Sequence, residues 1–305
     1  MSEAPSQHAR ELLRGAFDTH LHIAPDVVER KIDDLTLARR FLELGLEGFV
    51  LKSHYGSTAE RASVVSAAVP GISALGAISL NRGVGGINPL AVEVAAREGA
   101  RTVWMPTVDS VNESHEREAP PGAAVPVWVK LQRELREQGI EIEPVPVVAA
   151  DGSLLDETHE VLAMIARRGM LLATGHLSRD EIFTVVDAAF EAGIADVVVT
   201  HPDFPSQALP VSDQRALADR GALLERCFTT PHTGKVAWEV WIENIRAVGA
   251  ERSVLSTDLG QVSNPPVEDG MALMVDRLLD AGFDDEQVHL MAVVNTRRVA
   301  GAPPL

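Results

Sequence analysis

Eight short, mainly apolar runs alternate along the chain with amphipathic helical patterns, and this alternation most constrains the fold. Several runs are nearly continuous in Val, Ile, Leu and Ala, which is typical of parallel strands buried on both faces. We predict strands at residues 15–22, 48–54, 72–80, 101–108, 170–176, 196–201, 222–228 and 253–258. We predict helices between them at residues 34–44, 58–68, 89–98, 179–192, 212–220, 235–248 and 271–281.

Such an alternation fits either a closed (β/α)8 barrel or an open doubly wound sheet. The glycine fingerprint of dinucleotide-binding sheets does not follow the first strand, where residues 20–25 read His-Leu-His-Ile-Ala-Pro. Reactive side chains end strands in both halves of the chain, which suits a ring of loops around one axis. We therefore predict an α/β fold, a (β/α)8 TIM barrel, formed by residues 1–305 as a single domain.

Residues 109–169, between the fourth and fifth strands, are too long for one loop and one helix. They contain a polar loop at 112–122, a helix at 125–138, an extended piece at 141–149 and a helix at 155–168. Pro144 and Pro146 disfavour a central strand in the extended piece. We predict that residues 109–169 are an insertion within the barrel.

The chain has 305 residues and a formal charge of −17, with its charges spread along its length. An acidic surface repels phosphate backbones and anionic membranes, so we expect neither a nucleic-acid nor a membrane partner. Cys227 is the single cysteine, which excludes an intramolecular disulfide, and the N-terminus lacks the basic and apolar segments of a signal peptide. We expect a cytoplasmic protein that acts on a small molecule, and a homo-oligomer is compatible with the sequence.

His20 and His22 stand at the end of the first predicted strand. Residues two apart on a strand face the same way, so both imidazoles point into the barrel mouth, about 7 Å apart along the backbone. Two imidazoles in this arrangement can bind one ion at about 2.0–2.1 Å each. Many His-x-His pairs are merely loop or core residues, so the pair gains meaning only from the other strand ends.

Further candidate ligands end other strands. His176 ends the fifth strand, His201 the sixth and Asp258 the eighth. His54 closes the second strand, with Lys52 two residues earlier on the same face. Five of the ten histidines thus fall on the rim where barrel enzymes place their chemistry. Burying these groups around one axis without a cation would leave polar atoms unsatisfied, so the pattern predicts a metal site.

The order and spacing of these strand ends, from His20-x-His22 to Asp258, resemble the amidohydrolase superfamily of metal-dependent hydrolases over the whole barrel. The resemblance implies that His20 and His22 bind the more buried divalent metal, and that His176 and His201 bind a second ion. It also implies that Asp258 both binds metal and handles a proton. We expect one or two ions, with zinc as the first candidate and manganese or iron as the others.

The chain departs from that superfamily at the fourth strand, which lacks the lysine or glutamate that commonly bridges two metals. Lys52, Glu225 and Asp109 are the candidate replacements. Lys52 would have to be carboxylated to bind a cation; otherwise it would hold an anionic substrate or pair with Asp18 or Asp258 inside the barrel. The number of metal ions therefore stays open.

Three residues on the predicted rim loops are candidate substrate contacts: Arg82, Asp109 and His232. Arg82 lies in a glycine-rich loop after the third strand, and His232 follows the seventh. His54 is a candidate metal ligand, a substrate contact or a residue that merely orients its loop.

These features predict metal-assisted hydrolysis of an ester, lactone, amide or phosphoester of a small molecule. Asp258 takes a proton from the attacking water and returns it to the leaving group, and His201 binds a second metal or stabilises the oxyanion. Lys52 is the third candidate catalytic residue. A mononuclear metal-dependent decarboxylase or other C–C lyase is the alternative, favoured if Arg82 or Lys52 holds a carboxylate. A non-catalytic binding barrel is the second alternative and predicts no tightly bound metal.

Overall fold

The computed structural model describes residues 4–113 and 127–305, in which eight parallel strands form one sheet in chain order. Each strand pairs with the next along the chain, from β1–β2 to β7–β8. The strands are β1 Phe17–Leu21, β2 Gly48–Leu51, β3 Ser73–Ser79, β4 Ala100–Trp104, β5 Leu171–Ala173, β6 Val197–Val199, β7 Leu223–Cys227 and β8 Ser253–Ser256.

Backbone contacts between the ends of β8 and β1 close this sheet into a barrel. His22 N donates to Leu259 O at 2.7 Å, and Asp258 N donates to His20 O at 2.7 Å. Leu21 also forms a parallel bridge with Leu259. The predicted (β/α)8 TIM barrel is confirmed, and the open doubly wound alternative is excluded.

Helices alternate with these strands and pack around them. They are α1 Gln7–Leu12, α2 Asp34–Leu44, α3 Ala59–Ala68, α4 Pro89–Arg97, α5 Val127–Glu137, α6 Asp156–Arg168, α7 Arg179–Glu191, α8 Val211–Asp219, α9 Thr229–His232, α10 Trp238–Val248, α11 Val267–Asp280, α12 Asp285–His289 and α13 Asn295–Ala300. Their starts follow local capping signals: Asp33 accepts from Thr36 N before α2, and Ser178 with Glu181 forms a capping box before α7. None of the helices in the described ranges has the length and apolar character needed to cross a bilayer.

The interior of the barrel is apolar below its C-terminal rim. Val50 of β2, Trp104 of β4, Val198 of β6 and Val254 of β8 are buried in one cluster. Because residues two apart on a strand share a face, Lys52 lies directly above Val50 on the same side of β2. The apolar cluster fills the centre of the barrel and leaves polar side chains to gather at the rim.

The strands end earlier at the rim than the sequence patterns predict. β5 ends at Ala173 and β6 at Val199. His176 and His201 therefore lie in the loops that follow, not within the strands. Gly175 has φ +61° and His201 has φ +25°, left-handed conformations that do not continue a strand. The predicted boundaries are wrong here because apolar periodicity carries no information about where the backbone turns.

Between β4 and β5, helix α6 contacts α4 and α7 and so lies in the layer of barrel helices. Before α6, the chain carries α5 and two isolated bridges, Ser110–Val145 and Val148–Leu154. The single domain at 1–305 and the insertion at 109–169 stay predictions. Most of the predicted loop at 112–122 and the first residues of the predicted helix at 125–138 lie outside the described residues.

Replacing Gly260 with alanine should disrupt the contact between β8 and β1. Gly260 has φ +134°, and a Cβ there would lie 1.4 Å from His22 O, a backbone atom that cannot rotate away. We expect Gly260→Ala to lower the free energy of unfolding by roughly 3 kcal/mol or more. Gly99→Ala is the matched control, because Gly99 also has a positive φ (+97°) but open space around it. That control should cost only about 1–2 kcal/mol, and equal losses in urea unfolding would contradict the steric explanation.

Candidate metal centre

Five imidazoles form a ring at the C-terminal rim of the barrel, and all five are buried. Neighbouring ring centroids lie 4.8 to 6.2 Å apart. The successive distances are His20–His22 5.5 Å, His22–His54 4.8 Å, His54–His176 6.2 Å, His176–His201 5.0 Å and His201–His20 6.0 Å. The structure therefore brings together every histidine that the sequence placed at a strand end.

Two of these imidazoles, His20 and His22, form with Asp258 a group that has the geometry of a shared cation site. Their ligand atoms all lie within 4.8 Å of one another. Asp258 Oδ1 is 3.3 Å from His20 Nε2 and 3.4 Å from His22 Nε2. Two ligands that bind one zinc tetrahedrally lie roughly 3.4 Å apart, given bond lengths of about 2.0–2.2 Å. The three donors thus fit one divalent ion with little rearrangement.

Lys52 lies inside the same group. Its Nζ is 2.8 Å from His20 Nε2 and 5.0 Å from the centroid of the Trp104 ring. Burial lowers the pKa of the Lys52 amine, although the charges of Asp258 and Glu225 oppose this effect. Among the described residues, Lys52 forms no ion pair with Asp18 or Asp258. The alternative in which Lys52 is a structural ion-pair partner of these carboxylates therefore gains no support.

Two of the imidazoles are hydrogen-bonded through their Nδ1 atoms, and a third has a carboxylate beside its Nδ1. His20 Nδ1 lies 3.1 and 3.2 Å from the two carboxylate oxygens of Glu225, and His201 Nδ1 lies 3.1 Å from Gln207 Oε1. His176 Nδ1 lies 2.8 Å from Glu113 Oε1, an ion-pair contact whose angles are not those of a hydrogen bond. An acceptor at Nδ1 fixes the proton there and leaves the Nε2 lone pair for a cation, which is the usual arrangement of histidine ligands.

The other two imidazoles differ from these three. His54 Nδ1 lies 2.8 Å from Thr107 Oγ1, and the Asn81 amide also donates to that hydroxyl at 2.6 Å. His22 Nδ1 is buried and has no hydrogen-bond partner among the described residues. His54 is thus tied to the loop framework, whereas His22 is free to adjust to a ligand at Nε2.

Two residues of the centre have strained backbones. His201 has φ +25° and Asp258 has φ +52°, values rarely adopted by residues with a Cβ. Each is restrained by a backbone donor: His201 N donates to Glu225 Oε2 at 3.2 Å, and Asp258 N donates to His20 O at 2.7 Å. Strain of this kind costs about 1–3 kcal/mol per residue and concentrates at functional sites.

Burial controls the charge of the imidazoles. It lowers the pKa values of His22, His54 and His201 well below the ordinary range, because the charged form loses its hydration. These three rings are therefore neutral near pH 7, as a metal ligand must be.

The two carboxylates respond in the opposite way. Burial raises the pKa of Glu225, but attraction to His20 and the His20 hydrogen bond oppose burial and lower the pKa to about 2. Burial also raises the pKa of Asp258, but attraction to His20 and a hydrogen bond with His22 hold it well below its usual range. Both groups are anions at neutral pH.

The three predicted substrate contacts are Arg82, Asp109 and His232. Among the described residues, none of them makes a direct contact with the five imidazoles. Arg82 donates through Nε and Nη2 to the backbone carbonyls of Glu143 and Pro144, each at 2.7 Å. Asp109 accepts from Arg82 N at 2.8 Å. His232 is exposed and stacks on Phe228 with centroids 4.7 Å apart. These contacts are those of loop packing, and the substrate roles of the three residues stay predictions.

The sequence pointed to Glu225 in a different role and did not point to Glu113 or Gln207. Glu225 was a candidate metal bridge, yet it lies at the Nδ1 side of His20, away from the group formed by His20, His22 and Asp258. A carboxylate inside the apolar β7 run was the available signal. Glu113 and Gln207 stand in loops whose residue order carries no periodic pattern, so nothing in the sequence pointed to them.

Comparison with known proteins gives a family and a fold. A model described as "Family of unknown function (DUF6282)" matches residues 15–225, and no curated protein matches the sequence. The structure is similar to an amidohydrolase from Pseudomonas aeruginosa, with TM-score 0.61 and 13% identity over 96% of this chain and 99% of that one. It is also similar to a dipeptidase called a metallopeptidase, with TM-score 0.57, 14% identity and coverages of 95% and 100%. An amidohydrolase from Burkholderia multivorans gives TM-score 0.52, 10% identity and coverages of 94% and 99%. These likenesses show that the chain shares the barrel fold of these solved structures.

Replacing Glu225 with glutamine should weaken metal binding. The amide loses the charge that holds His20 Nδ1–H, so the ring is no longer fixed with Nε2 toward the shared cation site. We expect zinc affinity to fall roughly 10- to 100-fold, measured by competition with a chromophoric chelator. Glu239→Gln, an exposed change on α10, should leave the affinity unchanged. Wild-type affinity in a folded Glu225→Gln protein would disprove the anchoring role.

Acid should destabilise the metal-free protein from about pH 6.5 downward. His22, His54 and His201 stay neutral when folded, but in the unfolded chain they take up protons below their ordinary pKa of 6.5. Asp18, whose pKa burial raises to about 6, opposes this trend as a single group. The check is urea unfolding of the metal-free protein at about pH 8, 6.5 and 5.5. Equal or greater stability at the lowest pH would show that the imidazoles are not neutral when folded.

Proposed function

We propose that this chain, which belongs to the DUF6282 family of unknown function, is a metal-dependent hydrolase of the amidohydrolase type. The observation that carries this proposal is the compact group of His20, His22 and Asp258, in which two Nε2 atoms lie beside one carboxylate oxygen while Glu225 accepts from His20 at Nδ1. A merely structural histidine pair has no need to present two Nε2 atoms to one carboxylate oxygen.

The residues present fit a divalent ion. His20, His22 and Asp258 would hold one ion, and His176 and His201 would be the ligands of a second, with Lys52 as a further ligand if it is carboxylated. A mixed imidazole and carboxylate donor set suits zinc first, and manganese or iron next. When bound, such an ion supplies Lewis acidity, which lowers the pKa of water and polarises a carbonyl or phosphoryl oxygen.

Asp258 is placed to move the proton. Its Oδ1 faces the imidazoles, whereas its Oδ2 accepts from Thr229 Oγ1 at 3.0 Å. Its side chain is 15% exposed, while those of His20 and His22 are 0% and 3% exposed. Asp258 is therefore an ionised carboxylate with access to the mouth of the barrel. It takes a proton from the attacking water and delivers it to the leaving group.

His201 and the ring beside it shape the substrate side of the centre. Gln207 holds its Nδ1, and the Phe204 ring lies 4.9 Å from the His201 ring. With its proton on Nδ1, His201 offers the Nε2 lone pair to a second ion. Its alternative role, donation to the developing oxyanion, requires the protonated ring. The substrate is a small molecule with an ester, lactone, amide or phosphoester bond.

A mononuclear decarboxylase or C–C lyase is the second candidate, and two observations favour it. In the part of the chain that the structure describes, His176 and His201 do not belong to a compact group of three ligand atoms. The amine of Lys52 also lies on His20 Nε2 as an ordinary hydrogen-bonding group.

Metal content and the mass of Lys52 decide between these candidates. Elemental analysis of protein purified without added metal should find two ions per chain, together with the mass of one added CO₂ on the peptide that contains Lys52. One ion and an unmodified Lys52 would favour the lyase. A protein that stays metal-free after zinc, manganese and iron are supplied would leave only a binding barrel.

Replacing Asp258 with asparagine should separate catalysis from metal binding. The amide oxygen still offers a ligand atom, but it cannot take up the proton. We expect the variant to keep most of its metal while kcat falls about 10²- to 10⁴-fold. The measurement is turnover on whichever member of an ester, lactone, amide and phosphoester panel the wild type hydrolyses. Asp219→Asn, an exposed change at the end of α8, should turn over like the wild type, and so would Asp258→Asn if its assigned role were wrong.

A further inference from the structure

Two consecutive residues of β7 hold the turn after β6 from opposite faces of the sheet. Glu225 points into the barrel, where its Oε2 accepts from His201 N at 3.2 Å. Arg226 lies on the outer face of the same strand, because side chains alternate along a strand. Its Nη1 donates to Asp203 Oδ2 at 2.9 Å. The turn from His201 to Asp203 is thus held at both of its ends.

The Asp203 carboxylate is also held by two of the surrounding helices. Its Oδ1 accepts from Gln214 Nε2 of α8 at 2.8 Å and from Asn244 Nδ2 of α10 at 2.7 Å. Gln214 Oε1 in turn accepts from Arg226 Nη1 at 2.7 Å. Donors from one strand and two helices therefore fix this carboxylate in a single position.

The ion pair between Arg226 and Asp203 lies inside the protein. The two side chains are 0% and 3% exposed. Nε and Nη2 of Arg226 have no hydrogen-bond partner among the described residues. A buried ion pair loses the hydration of both charges, and replacing such a pair by apolar residues is often neutral or stabilising. Stability alone therefore does not explain why the chain carries this pair.

The backbone and the ring of His201 both depend on the turn that this pair holds. His201 has φ +25°, a value that a residue with a Cβ rarely adopts. Phe204 N donates to His201 O at 2.9 Å, and Gln207 N donates to Phe204 O at 3.0 Å. Gln207 Oε1 then lies 3.1 Å from His201 Nδ1. A displacement of Asp203 would therefore move both the His201 backbone and the amide that orients its ring.

We propose that Asp203 and Arg226 are positioning residues that hold the imidazole of His201 in place on the barrel rim. The positioning goes beyond the proposed function, because it does not require a bound ion. Its consequence for a second ion at His176 and His201 rests on the proposed function. Groups that hold a metal ligand from outside typically change metal affinity about 10- to 100-fold when they are removed.

Nitrogen magnetic resonance of the metal-free protein tests the positioning directly. In the wild type, Gln207 Oε1 favours a proton on His201 Nδ1, so the ring should give the ¹⁵N signals of one tautomer. Arg226→Met should shift these signals toward a mixture of two tautomers, because the Gln207 amide no longer lies in line with Nδ1. His201→Gln assigns the signals. The signals of His22 and His54 should not change, which distinguishes a local effect from general loosening of the rim.

Arg220→Met is the matched control for Arg226→Met. It also removes an arginine that pairs with an aspartate, but this pair with Asp187 is 40% and 52% exposed. We expect the His201 signals of this variant to equal those of the wild type.

Zinc affinity, measured by competition with a chelator, gives a second and independent measurement. Arg226→Met should keep the first ion and bind the second about 10- to 100-fold more weakly. A merely structural role of Arg226 would weaken both ions alike or neither.

Unchanged His201 signals in a folded Arg226→Met protein would overturn the proposal, whatever its metal content. If Arg226→Met fails to fold, Asn244→Leu decides, because it removes one donor to Asp203 from a half-buried position. That variant should show the same change of the His201 signals at a smaller size, and wild-type signals would again overturn the proposal. A wild type that binds one ion or none would refute only the second ion, since the tautomer measurement needs no metal.

Discussion

The buried contact between Glu225 and His20 connects most of the metal centre. One carboxylate in the middle of β7 accepts from His20 Nδ1, from the backbone N of His201 and from Ser256 Oγ at 3.0 Å. Burying a charge in a barrel interior is costly unless every lone pair is satisfied, and here groups from β1, β8 and the loop after β6 satisfy it. The same contact orients the first imidazole and restrains the left-handed turn at His201. Without that carboxylate, two of the five imidazoles would lose the group that positions them.

Closure of the barrel determines which residues meet. His20 and Asp258 are far apart in the chain, yet Asp258 N donates to His20 O because β8 returns to β1. The apolar cluster around Trp104 fills the barrel below, so polar side chains are stabilised only at the rim, where loops and water replace apolar neighbours. The loop between β1 and α2 depends on the same closure, since Lys31 N reaches Gly260 O just beyond β8. The candidate metal centre and the loop beside it are thus products of one structural constraint.

Much of this arrangement could be predicted from the sequence. Apolar runs of strand length located all eight strands, and alternation with helical patterns selected the barrel, because both signals are local. The histidines at strand ends followed from the register of side chains, since residues two apart share a face. The strand ends themselves were placed too late, as at His176 and His201, because a left-handed turn depends on hydrogen bonds from elsewhere in the chain. Arg82 looked like the anion contact because it stands in a glycine-rich loop; its guanidinium instead binds carbonyls at Glu143 and Pro144, which no local pattern reveals.

The sequence by itself determined the fold class, because the periodicities of strands and helices are local signals. It also identified the five imidazoles and Asp258, because each of them stands at the end of an apolar run. Only the tertiary structure decided what those imidazoles face. Glu225 anchors His20 from a distant strand, Gln207 anchors His201 from a loop, and Glu113 lies beside His176. The physical reason is the distance along the chain over which each signal acts. Periodicity shows which face a residue occupies on its own helix or strand. A hydrogen bond to an imidazole depends on distant chain segments that closure of the barrel brings together.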